Sequence, residues 1–164
     1  MEKREANQKS CLRPMPPIIV SCRDKEGRDN ALVVGYAANC SFDPPMVIVG
    51  VREERFSHHM IEETGVFIAN IASKHNKEIY DYLGTTSGRK EDKFKKMSIN
   101  SRTGDKVNAP LLLDCPVNIE CRVVNIVKSG SHDLFIGVVE KVHADKDLVD
   151  EKGNINYQKI DYMD

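Results

Sequence analysis

Apolar runs and alternation divide the chain into short extended segments separated by turn chemistry. Ile18-Ile19-Val20-Ser21-Cys22 reads as a strand entered through Pro14, Pro16 and Pro17. The turn cluster at 24–30 leads to a second run at 31–38, and the pair predicts an antiparallel hairpin. A polar elbow, Asn39-Cys40-Ser41, and a Pro44-Pro45 break precede Met46–Val51. That run lacks alternation and predicts a strand buried on both faces. Charge then arrives abruptly at Arg52-Glu53-Glu54-Arg55. Ser57 stands as an N-cap for a short helix over 57–63, with Gly65 as its C′ residue. Val66–Ile71 is a further strand. Ser73 caps a second helix through Lys77, Tyr80 and Leu83 that stops at Gly84.

After a polar loop at 85–89, a third short helix falls around 92–97, and 98–109 is rich in turn residues. The segment 117–127 carries more information. Ile119, Cys121 and Val123 alternate against Asn118, Glu120 and Arg122, and then the phase flips to Val124 and Ile126. A one-residue slip of that kind is what a β-bulge produces. Ser129-Gly130-Ser131 makes a turn into a partner strand at 133–143, and the charged remainder, 144–164, reads as peripheral. Six or seven strands and three short helices without a βαβαβ rhythm predict a mainly β protein, an antiparallel β-barrel with short helices.

Composition narrows the class. The chain has 164 residues, 40% of them hydrophobic, enough for one ordinary domain with its own core. Residues 1–13 read as a flexible lead-in and 14–164 as a single domain. A net charge of −1 argues against a nucleic-acid partner held by phosphate neutralisation. No apolar run approaches the ~20 residues of a membrane helix, and the first residues lack a leader's apolar core, so a cytoplasmic location is expected. Five cysteines without a CxxC fit a reducing compartment and argue against a metal site; Cys22 and Cys121 read as small core residues. His58 and His59 read as surface residues. Neither G-x-G-x-x-G nor G-x-x-x-x-G-K-[ST] occurs.

The stretch 30–57 concentrates the candidate chemistry. Small residues at Gly35, Ala37 and Ala38 allow something flat to approach the backbone, or merely permit a bend. Arg52 and Arg55 beside Ser57 suit a phosphate, or are strand-end surface charges. A mononucleotide cofactor is the ligand this pattern suggests.

The order of motifs resembles the flavin reductase-like family, of the FMN-binding split-barrel fold, and within it the flavoredoxin-type branch. The matching pieces are Pro17-Ile18-Ile19-Val20-Ser21-Cys22, Asn30-Ala31, Ser41-Phe42-Asp43-Pro44-Pro45, and Val51-Arg52 with Arg55 and Ser57. Phe67-Ile68-Ala69-Asn70, Ser87-Gly88-Arg89, Asp92-Lys93-Phe94, Cys115-Pro116-Val117 and Ser131-His132-Asp133-Leu134-Phe135-Ile136-Gly137 complete the set. The resemblance implies an antiparallel, Greek-key-like split barrel and a homodimer with FMN near the interface. It implies hydride transfer from NADH or NADPH to flavin and electrons onward to a small-molecule or protein acceptor. The alternative is a non-catalytic FMN carrier fed by a partner protein, with the basic cluster at 89–96 as its docking patch.

On that resemblance the isoalloxazine edge meets Val34, Gly35, Tyr36, Ala37, Ala38, Asn39, Cys40 and Ser41, with Tyr36 either stacking or in the core and Cys40 a small buried thiol. Arg52, Arg55, Phe56 and Ser57 form the phosphate end. Arg89 and Lys93 are either further phosphate ligands or an exposed helix face. Asn70 reaches the cofactor or caps the next segment. His132 is either the catalytic proton donor or an exposed turn histidine.

Overall fold

The computed structural model describes residues 1–163. Nine strands and three α-helices follow in the order β1 (Ile18–Arg23), β2 (Asp29–Val34), β3 (Ala37–Ser41), β4 (Met46–Val51), α1 (Phe56–Thr64), β5 (Val66–Ile71), α2 (Lys77–Thr85), α3 (Lys93–Lys96), β6 (Ser101–Thr103), β7 (Pro110–Leu112), β8 (Val117–Ser129) and β9 (His132–Ala144). Seven strands form one antiparallel sheet in the order β2-β1-β5-β8-β9-β4-β3, and β6 pairs with β7 separately. This is the mainly β, split-barrel architecture expected from the sequence.

The predicted hairpin of β1 and β2 is present, with Ile18 opposite Val34 and Arg23 opposite Asp29. Its second strand is shorter than expected. The run 31–38 is two strands, broken at Gly35-Tyr36, and β2 and β3 lie at opposite edges of the sheet. The elbow Asn39-Cys40-Ser41 belongs to β3, where the pairing with β4 slips between Asn39 and Ser41. By Tyr36 the chain has already joined β4: its carbonyl accepts from Gly50 N–H at 2.9 Å, one step beyond the Ala37–Val49 pair.

β8 and β9 are the long ribbon of the fold. Their register slips between Val123 and Asn125, where the sequence phase flips, and again between Glu120 and Cys121. The apolar side of β8 meets the main core, in which Phe67, Phe135, Val49 and Met60 are fully enclosed. Gly137 of β9 is needed there. A Cβ at that position would lie 2.8 Å from Cys121 Cβ and 3.0 Å from the Phe67 ring. Gly137→Ala is therefore expected to destabilise by about 1–3 kcal/mol through overpacking, read as a lower urea midpoint at unchanged slope.

The other side of β8 is polar yet buried. Asn118 and Glu120 are 4% and 0% exposed, because the segment 104–112 folds over them. Burial alone would push the Glu120 carboxyl up. A bond from His143 Nε2 at 2.6 Å and N–H donors from Asp105, Lys106 and Val107 outweigh it and hold the carboxyl below its usual range.

Several expectations are corrected. Met46–Val51 is not buried on both faces, since Met46 and Ile48 are half-exposed. The C-terminal region is not peripheral: Leu148 and Ile160 bury against Val117, with Ile155 and Tyr162 around them. Apolar spacing in 144–164 is too sparse to announce that packing. His58 is not a surface residue; it donates to Asp133 at 2.7 Å under Lys128, while His59 is exposed. Cys22 and Cys121 are core residues, and Cys40 is exposed, not a buried thiol. Among the described residues no helix is long and apolar enough to cross a membrane.

Candidate functional site

The C-terminal end of β4 divides two pockets. Gly50 lines one and Arg52 the other. The first is a cavity of about 220 Å³ walled by Leu32 and Val33 of β2, the Arg52–Ser57 segment, and the loop from Gly84 to Gly88. Its floor holds Lys93, only 3% exposed, whose Nζ donates to Ala31 O at 2.8 Å and Leu83 O at 3.5 Å. Burial, helped by the charge of Arg55, pushes this ammonium down to about 8. Two fixed carbonyls spend at most two of its three N–H donors.

Arg55 is the extended N-cap residue of α1, which starts one residue earlier than the sequence suggested. Ser57 is thus inside the first turn, not a cap; its Oγ accepts from Asn30 Nδ2 at 2.7 Å and is buried. Arg52 pairs with Glu54 at 2.8 Å on the exposed rim. Arg89 stays outside the cavity, where its Nη1 donates to Glu54 O at 2.6 Å. The guanidinium groups of Arg28 and Arg89 lie 4.6 and 5.5 Å from the centre of the Phe56 ring. Gly88 closes the wall so tightly that a Cβ would lie 2.6 Å from both Asn30 Oδ1 and the Phe56 ring.

The second pocket is an apolar chamber of about 820 Å³. Tyr36, Ala37, Ala38 and Asn39 of the β2–β3 crossing and the β3 strand line it, with Ile48 and Gly50 of β4. The N-terminal residues Ser10–Pro16 lie along one side, tied by a 2.8 Å contact between Ser10 Oγ and Tyr36 OH. Residues 1–13 thus include a wall of this chamber. His132 lines neither pocket; it lies beside Gly50, packs edge-on against Tyr36 with ring centres 4.8 Å apart, and its Nδ1 is 2.7 Å from Ser131 Oγ. Partial burial, and after it the nearby positive charge of Arg52, lower the pKa of this imidazole below its ordinary value.

The structure therefore gathers Arg52, Arg55, Phe56, Ser57 and Lys93 around one pocket, and Tyr36, Ala37, Ala38 and Asn39 around the other. Gly35 is exposed at the crossing between them. Others fall elsewhere. Val34 is spent in the core, and its neighbour Val33 lines the first pocket instead. Cys40 and Ser41 lie further along β3, beside Phe42. Asn70 does not reach either pocket. It is fully buried, donating to Ile19 O and Ser21 Oγ and accepting from Leu112 N and Asn118 Nδ2. An asparagine with every hydrogen-bonding group spent inside the core organises β5, β7 and β8. Sequence reasoning missed Glu54, Thr86 and Tyr157 among the lining residues, and the chamber wall at Leu12 and Met15.

Comparison with known proteins shows the family and the fold. The family model described as Flavin reductase like domain matches residues 12–163. An uncharacterised protein of Archaeoglobus fulgidus is 32% identical over 81% of this chain and 75% of its own length. An NADH:riboflavin 5'-phosphate oxidoreductase of Streptomyces pristinaespiralis is 27% identical over 79% of this chain and 70% of its own. Some relatives are longer; the chain spans 52% of one from Aeropyrum pernix. Among solved structures, flavoredoxin of Desulfovibrio vulgaris superposes with a TM-score of 0.89 at 27% identity, over 96% of this chain and 85% of that one. The FMN-binding protein of Thermus thermophilus with bound 1-cyclohex-2-enone gives 0.81 at 28% identity, over 94% and 86%. The chain belongs to the flavin reductase-like family.

Proposed function

We propose that this chain binds FMN and uses it to move electrons from NADH or NADPH to an acceptor. The observation that carries the reading is the division of labour along β4: a cation-lined pocket at Arg52 and an uncharged chamber at Gly50, two residues apart. FMN has the same division, a dianionic phosphate at one end and a flat ring system at the other. The donor set fits. Arg52, Arg55 and the spare N–H of Lys93 would hold the phosphate, and Gly88 leaves its loop backbone close to the cavity. Ala37 and Ala38 present little bulk to a ring in the chamber, and Tyr36 offers an aromatic face beside them. Hydride and electron transfer are the chemistry FMN supplies when bound. The chain's own work is orientation: holding the ring where a nicotinamide can stack beside it and excluding water. His132, packed against Tyr36, would offer a hydrogen bond at the ring edge.

The names of the relatives support the reading, since one is an oxidoreductase acting on riboflavin 5'-phosphate and two structural neighbours are a flavoredoxin and an FMN-binding protein. A cytoplasmic homodimer with the flavin near its interface belongs to the same proposal; the exposed apolar residues Val124, Val127 and Val142 on β8 and β9 suit a subunit contact. The pure carrier reading keeps a smaller docking patch, because Lys93 is buried and only Arg89, Lys90, Lys95 and Lys96 of that cluster are exposed.

An absorbance spectrum before and after anaerobic NADH or NADPH tests the function. Bound flavin that bleaches within seconds is expected; colour that persists with both reductants sinks the reductase. Arg52→Ala and Arg55→Ala should each weaken FMN binding roughly ten-fold, as loss of a charge-assisted hydrogen bond of about 1.5–3 kcal/mol requires. Unchanged affinity in both variants, by fluorescence quenching, would move the phosphate out of this pocket.

A further inference from the structure

The second pocket says something about the acceptor that the flavin reading leaves open. No Asp, Glu, Lys, Arg or His lines it among the described residues. Its walls are aliphatic, with Ile18, Val47, Ile48, Ile71, Ile119 and Leu134 contributing, and its polar groups are confined to a few positions including Tyr36 and Tyr157. At about 820 Å³ the chamber lies near the upper end of ordinary ligand cavities, so a ring system from the cofactor leaves room for a second compact molecule. Burying an anion in such surroundings without a partner is expensive, whereas a neutral conjugated ring gains its full apolar transfer energy. Tyr36 supplies a hydroxyl at one margin, already shared with Ser10 Oγ. The side wall is an exposed segment, with Leu12 85% exposed, so this entrance can change without disturbing the core.

From this we infer that the chamber accepts, beside the flavin, a neutral and compact conjugated carbonyl compound of the quinone class, and discriminates against anionic acceptors such as sulfonated quinones or carboxylate-chelated iron. The inference rests on the FMN reading for its redox meaning. Overall, NAD(P)H, the quinone and one proton would give NAD(P)⁺ and the hydroquinone: the two electrons and one hydrogen come from the nicotinamide, the other proton from water, and the flavin returns to its starting state.

The test is binding first and turnover second. Duroquinone is the probe, because its four methyl groups block addition of the exposed Cys11 thiol, and anthraquinone disulfonate is the anionic comparison. Both are titrated by equilibrium dialysis against the FMN-loaded protein, and FMN affinity is measured separately in every variant. Duroquinone should bind at least roughly ten-fold tighter than the disulfonate. Leu12→Glu and Met15→Glu, which place a carboxylate on the chamber wall outside the proposed FMN contacts, should each weaken duroquinone roughly ten-fold while leaving FMN affinity unchanged. FMN bound tightly with no duroquinone bound would overturn the inference while the flavin reading stood. So would equal affinity for the disulfonate, indifference of both variants, or a dimer whose partner subunit fills the chamber and excludes the probe. Failure to bind FMN at all would remove the reading on which the acceptor role rests.

Discussion

Replacing Glu120 with alanine is expected to cost the fold about 3–5 kcal/mol, the range found when one partner of a buried charged network is removed. The reason lies in what its carboxylate holds. Three consecutive backbone N–H groups, from Asp105, Lys106 and Val107, end on it, and His143 Nε2 adds a fourth bond at 2.6 Å. Truncation leaves those donors without their acceptor, and the loop that closes over β8 loses its anchor. A melting temperature lowered by roughly 6–20 °C is the readout for a chain of this size. A loss below about 1 kcal/mol would mean that water replaces the carboxylate without penalty. The same group predicts an acid limb. Its folded pKa lies below the ordinary value, so its stabilisation is complete above the unfolded carboxyl pKa of about 4.3 and fades as pH falls through the folded one. Glu120→Ala should flatten stability against pH in that acidic window and leave the neutral range parallel to the parent protein.

The second large effect falls on cofactor binding. Lys93→Met should weaken FMN roughly ten- to hundred-fold, as loss of a charged donor to phosphate requires, with the length of the side chain preserved. The pH dependence gives the diagnostic. With its pKa lowered to about 8, Lys93 in the free protein loses its charge above that point, so FMN affinity should fall as pH rises from about 7 to 10. The fold should respond in the opposite sense. The folded pKa lies below the unfolded value of about 10.4, so the unfolded chain binds more protons between the two and stability without FMN rises with pH across that window. In Lys93→Met both slopes should vanish. A titration in which affinity stays flat above pH 8 in the parent protein would place the ammonium away from the phosphate.

Much of the architecture was legible because strand patterns report burial. The slip in β8 could be read from Val123-Val124 alone, since a bulge must move the apolar phase by one residue. Gly65 stopped α1 where expected, with φ at +71°. The hidden part is polar. Alternation in 117–123 separates Glu120 and Asn118 from the core side, but it cannot say that a turn-rich segment fifteen residues upstream covers them. Asn70 and His58 misled because their partners lie far off in sequence: Asn70 bonds to β1, β7 and β8 and His58 to Asp133, so nothing nearby in the chain marks either as buried. For the candidate site, Arg52, Arg55, Phe56 and Ser57 lie within six residues of sequence and line one pocket, so their proximity was legible. The chamber is assembled from β1, β3, β4, β5, β8, β9 and two segments near the termini, contributions that no window of sequence brings together.

The crossing at Gly35-Tyr36 joins the two outermost strands of a seven-stranded sheet through two residues. Along the sheet, β2 and β3 are as far apart as two strands can be, yet their linked ends cannot separate by more than a short stretch of backbone. The sheet is therefore pinned at the corner where β2 ends and β3 begins, whereas Asp29 and Ser41, at the far ends of the same strands, are not joined to each other. Breathing motions must grow with distance from Tyr36. Amide exchange along β2 and β3 should then be slowest beside the crossing, which leaves the junction of the two pockets as the stillest point on the rim and the far ends of the same strands as the places that yield first.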